Sequence, residues 1–335
     1  MAEVYLSKDI EKILDKIDYS RLGKNVAIKL HFGEMGCVTY ISPVLVKKVY
    51  DKVISLGKNA SLVESNVLYK GSRTNSTDHI KTAKAHGFGF APIDILDGEL
   101  GKDEIEIKIE DGVIDEAKVG AGIKKYDSMI VLTHFKGHIA SGYGGAFKNI
   151  GMGLASRSGK LHMHANTHPN IIPDKCIACG KCVNNCNYNA ISIVDGKAKI
   201  NPSICIGCAM CIAVCPSGAV QVPWEGSSHE ELCKRIVDYS RGIMKLIPNM
   251  IFINVLENIT PGCDCFGVVQ KPMTPDIGIM YSEDIVAIDK ASLDLVNLKS
   301  DGKFDKINDI DKNMQIDYAY SKKMGDKKYE LIKLD

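Results

Sequence analysis

Eight cysteines arranged in two matching copies constrain this chain more than any other feature. The first copy runs Cys176-Ile-Ala-Cys179-Gly-Lys-Cys182-Val-Asn-Asn-Cys186, and the second runs Cys205-Ile-Gly-Cys208-Ala-Met-Cys211-Ile-Ala-Val-Cys215-Pro216. Both read C-x2-C-x2-C-x3-C, and Ala190-Ile191 echoes Ala219-Val220 at the same offset. Cysteines at i, i+3 and i+6 let one loop wrap three corners of a cubane, and the fourth is expected to start a short helix leading away. Where two such loops share two clusters, the fourth cysteine of each serves the other cluster. The pattern therefore predicts two 4Fe–4S clusters. Cys176, Cys179, Cys182 and Cys215 are expected to hold one, and Cys205, Cys208, Cys211 and Cys186 the other. Tetrahedral zinc sites use cysteines in two pairs, which the doubled x2-x2-x3 spacing fits poorly. Asn187 stands where a proline usually follows the fourth cysteine, whereas Pro216 keeps it in the second copy. That proline shapes a turn and ligates nothing.

The rest of the chain sets the context. Met1 to Lys12 is polar and charged and has no apolar signal-peptide core. Apolar runs such as Met129–Leu132 and Met250–Ile253 are far too short to span a bilayer. The expectation is a cytoplasmic protein with no membrane partner, whose twelve cysteines serve metal ligation rather than disulfides. A formal net charge of +1 lacks the basic surplus of a nucleic-acid binder, so no nucleic-acid partner is expected.

On both sides of the cysteines, strands alternate with helices. Asn25–His31, Asn59–Glu64, Asp127–Thr133, Asn249–Leu256 and Asp276–Met280 read as strands, with Ile105–Ile109 as a half-exposed one and Tyr329–Leu334 as a final one. Val44–Leu56, Asp78–His86, Glu230–Leu246 and Asp284–Leu298 read as helices, the first two stopped by Gly57 and Gly87. The fold class is thus α/β, a mixed or mostly parallel sheet flanked by helices, with an inserted bacterial-ferredoxin-like module. The boundaries fall at 1–169 for the first part of the host, 170–223 for the module and 224–335 for the second part. Strands Asp127–Thr133 and Asn249–Leu256 are expected in one sheet despite the insertion.

Outside the module, polar residues gather behind one apolar strand. His134, Lys136 and His138 follow it directly, and Ser141-Gly-Tyr-Gly-Gly145, Lys148 and Asn149 come next. In open α/β sheets ligands bind beyond the carboxyl ends of strands. Glycines there admit a backbone approach to an anion, lysine adds a point charge, and histidine can move a proton near neutral pH. His134, Lys136, His138 and Lys148 are therefore expected as catalytic residues. Gly142, Gly144, Gly145 and Asn149 are expected to contact substrate, together with Lys29 and Arg73 from neighbouring strand ends. His162, His164 and His168 have unspecific spacing and suit plain polar groups as well as a metal. Cys263-Asp264-Cys265 is needed by neither repeat and suits a further metal, a redox-active thiol site or simple packing. Cys37 and Cys233 read as structural.

With these residues in view, the chain resembles the family called domain of unknown function 362, in its version with a ferredoxin insertion. The resemblance rests on Thr133-His-Phe-Lys-Gly-His138, Gly144-Gly-Ala-Phe-Lys148-Asn149, Asn254-Val-Leu-Glu-Asn-Ile259, Cys263-Asp-Cys265 and Pro275-Asp-Ile-Gly278 with Asp284-Ile-Val-Ala-Ile-Asp289. It implies that architecture and iron–sulfur binding, and it supplies no reaction. Two functions follow as expectations. One is an iron–sulfur oxidoreductase passing electrons between two clusters and a small anionic substrate. The other is a non-catalytic ferredoxin-type carrier or adaptor that docks a redox partner protein.

Overall fold

The structure is a computed structural model describing residues 1–164, 168–224 and 226–335. Its centre is an eight-stranded sheet. In chain order the strands are β1 (Ala2–Ser7), β2 (Asn25–Lys29), β3 (Asn59–Glu64), β4 (Ile93–Ile95), β5 (Ser128–His134), β6 (Met250–Leu256), β7 (Gly278–Ser282) and β8 (Tyr329–Lys333). Across the sheet they run β8-β1-β7-β6-β5-β2-β3-β4. The block from β6 to β4 is parallel, and β7 lies antiparallel to both of its neighbours. β5 and β6 pair directly, Met250 opposite Met129 through Val255 opposite His134. The expected mixed, mostly parallel α/β sheet is observed, and the two strands on either side of the insertion are neighbours in it.

Alternation along the strands explains the three layers. Met129 and Val131 of β5 pack into one apolar layer, while Ile130 and Leu132 pack into the other. Because β5 and β6 are buried on both faces, their sequences are continuous apolar runs. Helices α1 (Ile10–Lys16), α2 (Pro43–Ser55) and α3 (Ser76–Ala85) cover one face. Helices α4 (Ala146–Gly151), α5 (Arg157–His164), α6 (His229–Leu246), α7 (Ile285–Lys299) and α8 (Met314–Ser321) lie on the other side. Local chemistry fixes their starts. Pro43 opens α2, Ser228 and Glu231 form a capping box on α6, and Asp284 accepts hydrogen bonds from Val286 and Ala287 at the start of α7. No helix among the described residues is long and apolar enough to cross a membrane.

One strand is not anticipated from the sequence, and one sequence expectation needs correction. The charged N-terminus forms β1, a strand inside the sheet, because its neighbours β7 and β8 satisfy its backbone while Val4, Tyr5 and Leu6 are buried. In the cysteine segment the one-turn helices are Lys181–Asn184 and Met210–Val214. Each carries the third cysteine of its repeat and ends before the fourth, so the fourth closes a helical turn rather than starting one.

The ends of the inserted segment meet as an antiparallel pair, Asn170 with Gln221 and Ile171 with Val220. A second pair, Ile191–Val194 with Lys197–Ile200, turns through Asp195 and Gly196, both at positive φ. The segment has a small apolar core of its own, and Leu68 and Leu161 of the host belong to it.

Candidate functional site

The parallel strands present their carboxyl ends on one edge. β2 connects outward to β3 and β4, whereas β5 connects across to β6, so the crevice between β2 and β5 is a topological switch point. A cavity of about 570 Å³ opens there. Strand ends supply Lys29, His31, Glu64, Thr133 and His134, the loops beyond them supply Lys136, His138, Tyr69 and Arg73, and α4 and α5 supply Lys148, Asn149, Lys160 and His164. Trp224 arrives from beyond the cysteine segment, and Cys263, Cys265 and Phe266 from the loop after β6.

Some of the expected substrate contacts are engaged elsewhere. Lys29 donates to Glu64 Oε1 at 2.8 Å, Asn149 Oδ1 at 2.9 Å and the Leu30 carbonyl at 2.8 Å. Asn149 donates in turn to the Leu132 carbonyl at 3.1 Å and to Thr133 Oγ1 at 2.9 Å. Arg73 reaches Glu34 and Glu64, each at 3.4 Å, and Tyr69 at 2.8 Å. Lys29, Asn149 and Arg73 thus line the cavity while bracing its floor; a buried cation must be paired, and these pairs consume its donors. Burial alone would lower Arg73, but Tyr69, Glu64 and Glu34 outweigh it and its pKa rises.

The glycines divide in the same way. Gly142 lies outside the lining and sits against Lys312. Gly145 is required because a Cβ there would meet the Asp289 carboxylate at 2.5 Å. That carboxylate accepts from the Ala146 and Phe147 amides and so caps α4, leaving those amides unavailable to a ligand. A Cβ at Gly144 would have only lysine methylenes at 3.6 Å and beyond, so this position alone keeps its backbone open to the cavity.

Of the four residues expected to act, His134 and Lys136 are held by Asp264. His134 Nδ1 lies 2.7 Å from Asp264 Oδ2, and its Nε2 donates to the Glu257 carbonyl at 3.0 Å. Lys136 Nζ lies 3.1 Å from the same carboxylate and 2.9 Å from the His134 carbonyl. Burial pushes Asp264 up, but His134 and Lys136 together outweigh it and hold its carboxyl well below the usual range. Thr39 donates to the other oxygen at 2.9 Å. Asp264 is the residue sequence reasoning missed as an organiser: between two cysteines, nothing local signals that three distant segments converge on it.

His138 and Lys148 remain free to meet a ligand. His138 Nδ1 accepts from the amides of Ala140 and Ser141 at 3.2 and 3.1 Å, which puts the ring proton on Nε2. Burial, with Lys148 nearby, lowers its pKa well below the ordinary value. Lys148 has no carboxylate or hydrogen-bond partner among the described residues. Burial also lowers His164 to about 3 and Lys160 to about 8. His164 packs edge-on to Trp224, while His162 and His168 turn to Tyr239 and the Pro169 carbonyl, so the three histidines do not converge. Cys37 and Cys233, read as structural, are buried.

The eight cysteines of the repeats face two hollows. Cys176, Cys179, Cys182 and Cys215 line one with Ile171, Ile177, Ala198 and Val220. Cys186, Cys205, Cys208 and Cys211 line the other with Tyr188, Ile191 and Ile206. The two repeats place left-handed residues at matching offsets: Ala178 and Gly207, Gly180 and Ala209, Asn189 and Gly218. An alanine in that region costs about 1 kcal/mol or more, so the surrounding structure over-determines the loop path in both repeats. Backbone amides of Ala198 and Ala190 donate to the sulfurs of Cys176 and Cys186, each at 3.3 Å. Among the described residues no group of three or more Cys, His, Asp or Glu is drawn together around a single metal ion. Four thiols on apolar walls, with amides bonded to sulfur, are a donor set compatible with iron–sulfur clusters.

The family described as domain of unknown function (DUF362) matches residues 26–294. No curated protein matches the chain. Among solved structures, the lactate racemase apoprotein from Thermoanaerobacterium thermosaccharolyticum is 12% identical with a TM-score of 0.40, covering 76% of this chain and 50% of its own. A protein from Thermotoga maritima is 10% identical with a TM-score of 0.45, covering 87% of this chain and 57% of its own. The chain therefore spans half the length of the first and 57% of the second.

Proposed function

The chain belongs to the DUF362 family, and we propose that this member is an iron–sulfur oxidoreductase passing electrons between two 4Fe–4S clusters and a small anionic substrate in the cavity. The observation that carries the reading is Leu68. This buried side chain lines the cavity and belongs to the apolar core around Cys182, Cys211 and Cys215, so the two sites share a wall. Lys70 ties the same loop to the Cys215 carbonyl at 3.3 Å. When bound, the clusters supply single electrons at potentials tuned by hydrogen bonds to sulfur. The chain does the rest. Lys148 draws in the anionic group, and His138 offers its Nε2 proton as a hydrogen bond without adding charge. Leu68, Met152 and Trp224 keep water from the substrate carbons. Lys160 holds a proton it can give up near neutral pH, a better-matched donor than His138 or His164, whose basicity burial has lowered.

Exposed Ile177, Ile206 and Tyr188 at the mouths of the hollows favour a second reading, a ferredoxin-type carrier docking a redox partner protein. One experiment separates the two. Anaerobically purified protein should contain about eight iron and eight sulfide. After photoreduction, small carboxylates and phosphorylated metabolites are screened for reoxidation of the visible absorbance. Lys148→Ala should keep its iron and lose about 10- to 100-fold of the substrate-dependent rate, the worth of one charge-assisted contact. Reoxidation by a partner protein alone, with no response to any small anion, makes the chain a carrier.

A further inference from the structure

Cys263 and Cys265 lie apart from the eight cysteines of the inserted segment and face the cavity of the sheet. They form a pair with an asymmetric setting. Both thiols line the cavity, the Cys265 amide donates to Cys263 Sγ at 3.3 Å, and the two side chains shift each other's proton in opposite senses. The turn that carries them is pinned from below, because Asp264 between them is held by Thr39, His134 and Lys136. The Cys265 hydrogen bond, followed by the charges of Lys148 and Lys136, brings the Cys263 thiol down to about 5 against the effect of burial. Cys265 is held well above its ordinary value by the same bond and by burial. One sulfur is therefore a thiolate at neutral pH and its neighbour keeps a proton, the division of labour between an attacking and a resolving cysteine.

We propose that Cys263 and Cys265 form a redox-active dithiol that exchanges with a small anionic disulfide bound in the cavity. Cys263 Sγ attacks one sulfur of R–S–S–R, a Cys263–S–R bond forms, and RS⁻ leaves carrying the electron pair of the broken S–S bond. Cys265 gives its proton to that leaving thiolate and becomes a thiolate itself. It then attacks Cys263 Sγ, forming the Cys263–Cys265 disulfide and releasing the second RS⁻. The substrate disulfide gains two electrons and the dithiol loses two. Residues two apart span at most about 7 Å of chain, and a turn shortens this into the roughly 4.4–6.8 Å between Cα atoms that a disulfide bridges. The anionic character of the partner follows from Lys148, the cation beside both sulfurs with no partner among the described residues, and its carbons would lie against Leu68 and Trp224. This inference needs no cluster and stands apart from the electron-transfer reading above.

The test uses the whole protein, purified anaerobically, equilibrated in buffers of reduced and oxidised glutathione and quenched with iodoacetamide. After trypsin, the peptide from Leu246 to Lys290 is weighed, since its sole cysteines are Cys263 and Cys265. Expected is a peptide that escapes alkylation and has lost two hydrogens as the buffer becomes oxidising, while the visible absorbance of the protein is unchanged. Cys265→Ser should trap glutathione on Cys263 as a mixed disulfide. Lys148→Ala should slow exchange with uncharged 2-hydroxyethyl disulfide to the extent that the Cys263 thiolate loses its neighbouring charge, and should slow exchange with oxidised glutathione roughly tenfold or more beyond that, as loss of a charge-assisted contact does. A peptide that stays doubly alkylated at every glutathione ratio, or a Cys263→Ser protein consuming oxidised glutathione at the native rate, overturns the dithiol. Equal slowing with both disulfides overturns the anionic partner.

Discussion

The cavity of the sheet and the hollows of the cysteine segment are held in shape by different means. In the cavity, the chain satisfies itself. Glu64 and Asp264 are buried carboxylates, and Lys29, Arg73, Lys136 and His134 are arranged around them with direct contacts. Behind them stand two large apolar layers. In the hollows, thiols face apolar walls, the few hydrogen bonds to sulfur come from the Ala190 and Ala198 amides and the Ser217 hydroxyl, and the surrounding core is small. Alanines and an asparagine there hold left-handed conformations. The contrast teaches that one site is preorganised by polar contacts of its own chain, whereas the other has a small apolar core and few polar contacts to fix its thiols.

The largest expected effect tests that contrast directly. Chelating iron out of the anaerobic protein should abolish hydrogen-exchange protection across residues 176–215, because a segment of that size cannot hold itself without a staple. Amides of β5 and β6 should stay protected. Equal protection with and without iron, or loss throughout the sheet, breaks the distinction. A smaller effect is expected inside the cavity. Asp264→Ala strips the counter-charge from Lys136 and His134, and removing one partner of a buried pair costs about 3–5 kcal/mol. Urea unfolding of the sheet measures it, and a loss below about 1 kcal/mol would mean that the cavity is less self-supporting than its contacts imply.

The smallest effect concerns pH. His164 has a folded-state pKa lowered to about 3 by burial and Lys148, against roughly 6.5 in an unfolded chain. Below about 6.5 the unfolded state takes up a proton that the folded state refuses, so stability falls as pH drops through that window. His164→Gln should flatten the decline measured by urea midpoints between about pH 7.5 and 5. Part of the slope should persist, since His31, His79 and His138 are lowered by burial in the same sense. An unchanged slope would place His164 in water and reopen the wall next to Trp224.

Much of this molecule was legible before any coordinates. Apolar runs bounded by glycine, proline and polar caps gave most strands and helices to within a few residues. The placement of His134, Lys136, His138 and Lys148 around one cavity followed from a single idea, that polar residues behind a buried parallel strand meet at the sheet's carboxyl edge. The misses share a cause. β1 has only the apolar run Val4-Tyr5-Leu6 and no glycine or proline to bound it, and its place comes from β7 and β8 pairing on either side. Asn149, Lys29 and Arg73 look like available donors in the sequence because their partners, Glu64 among them, lie far away along the chain. Gly145 has the sequence context of an open backbone, but Asp289, distant in sequence, fills the space beside it.

The sequence by itself determined what is periodic or local: the alternation that buries β5 and β6, the caps that start α6 and α7, and the spacing that folds each cysteine repeat around a hollow. Only the tertiary structure decided which charges remain free. A lysine's character depends on what stands within about 4 Å of its ammonium, and contacts across a fold are set by strand order rather than by spacing. Lys29 and Lys148 look alike in the sequence; the first is consumed by Glu64 and Asn149, and the second is left facing the cavity beside Cys263 and Cys265.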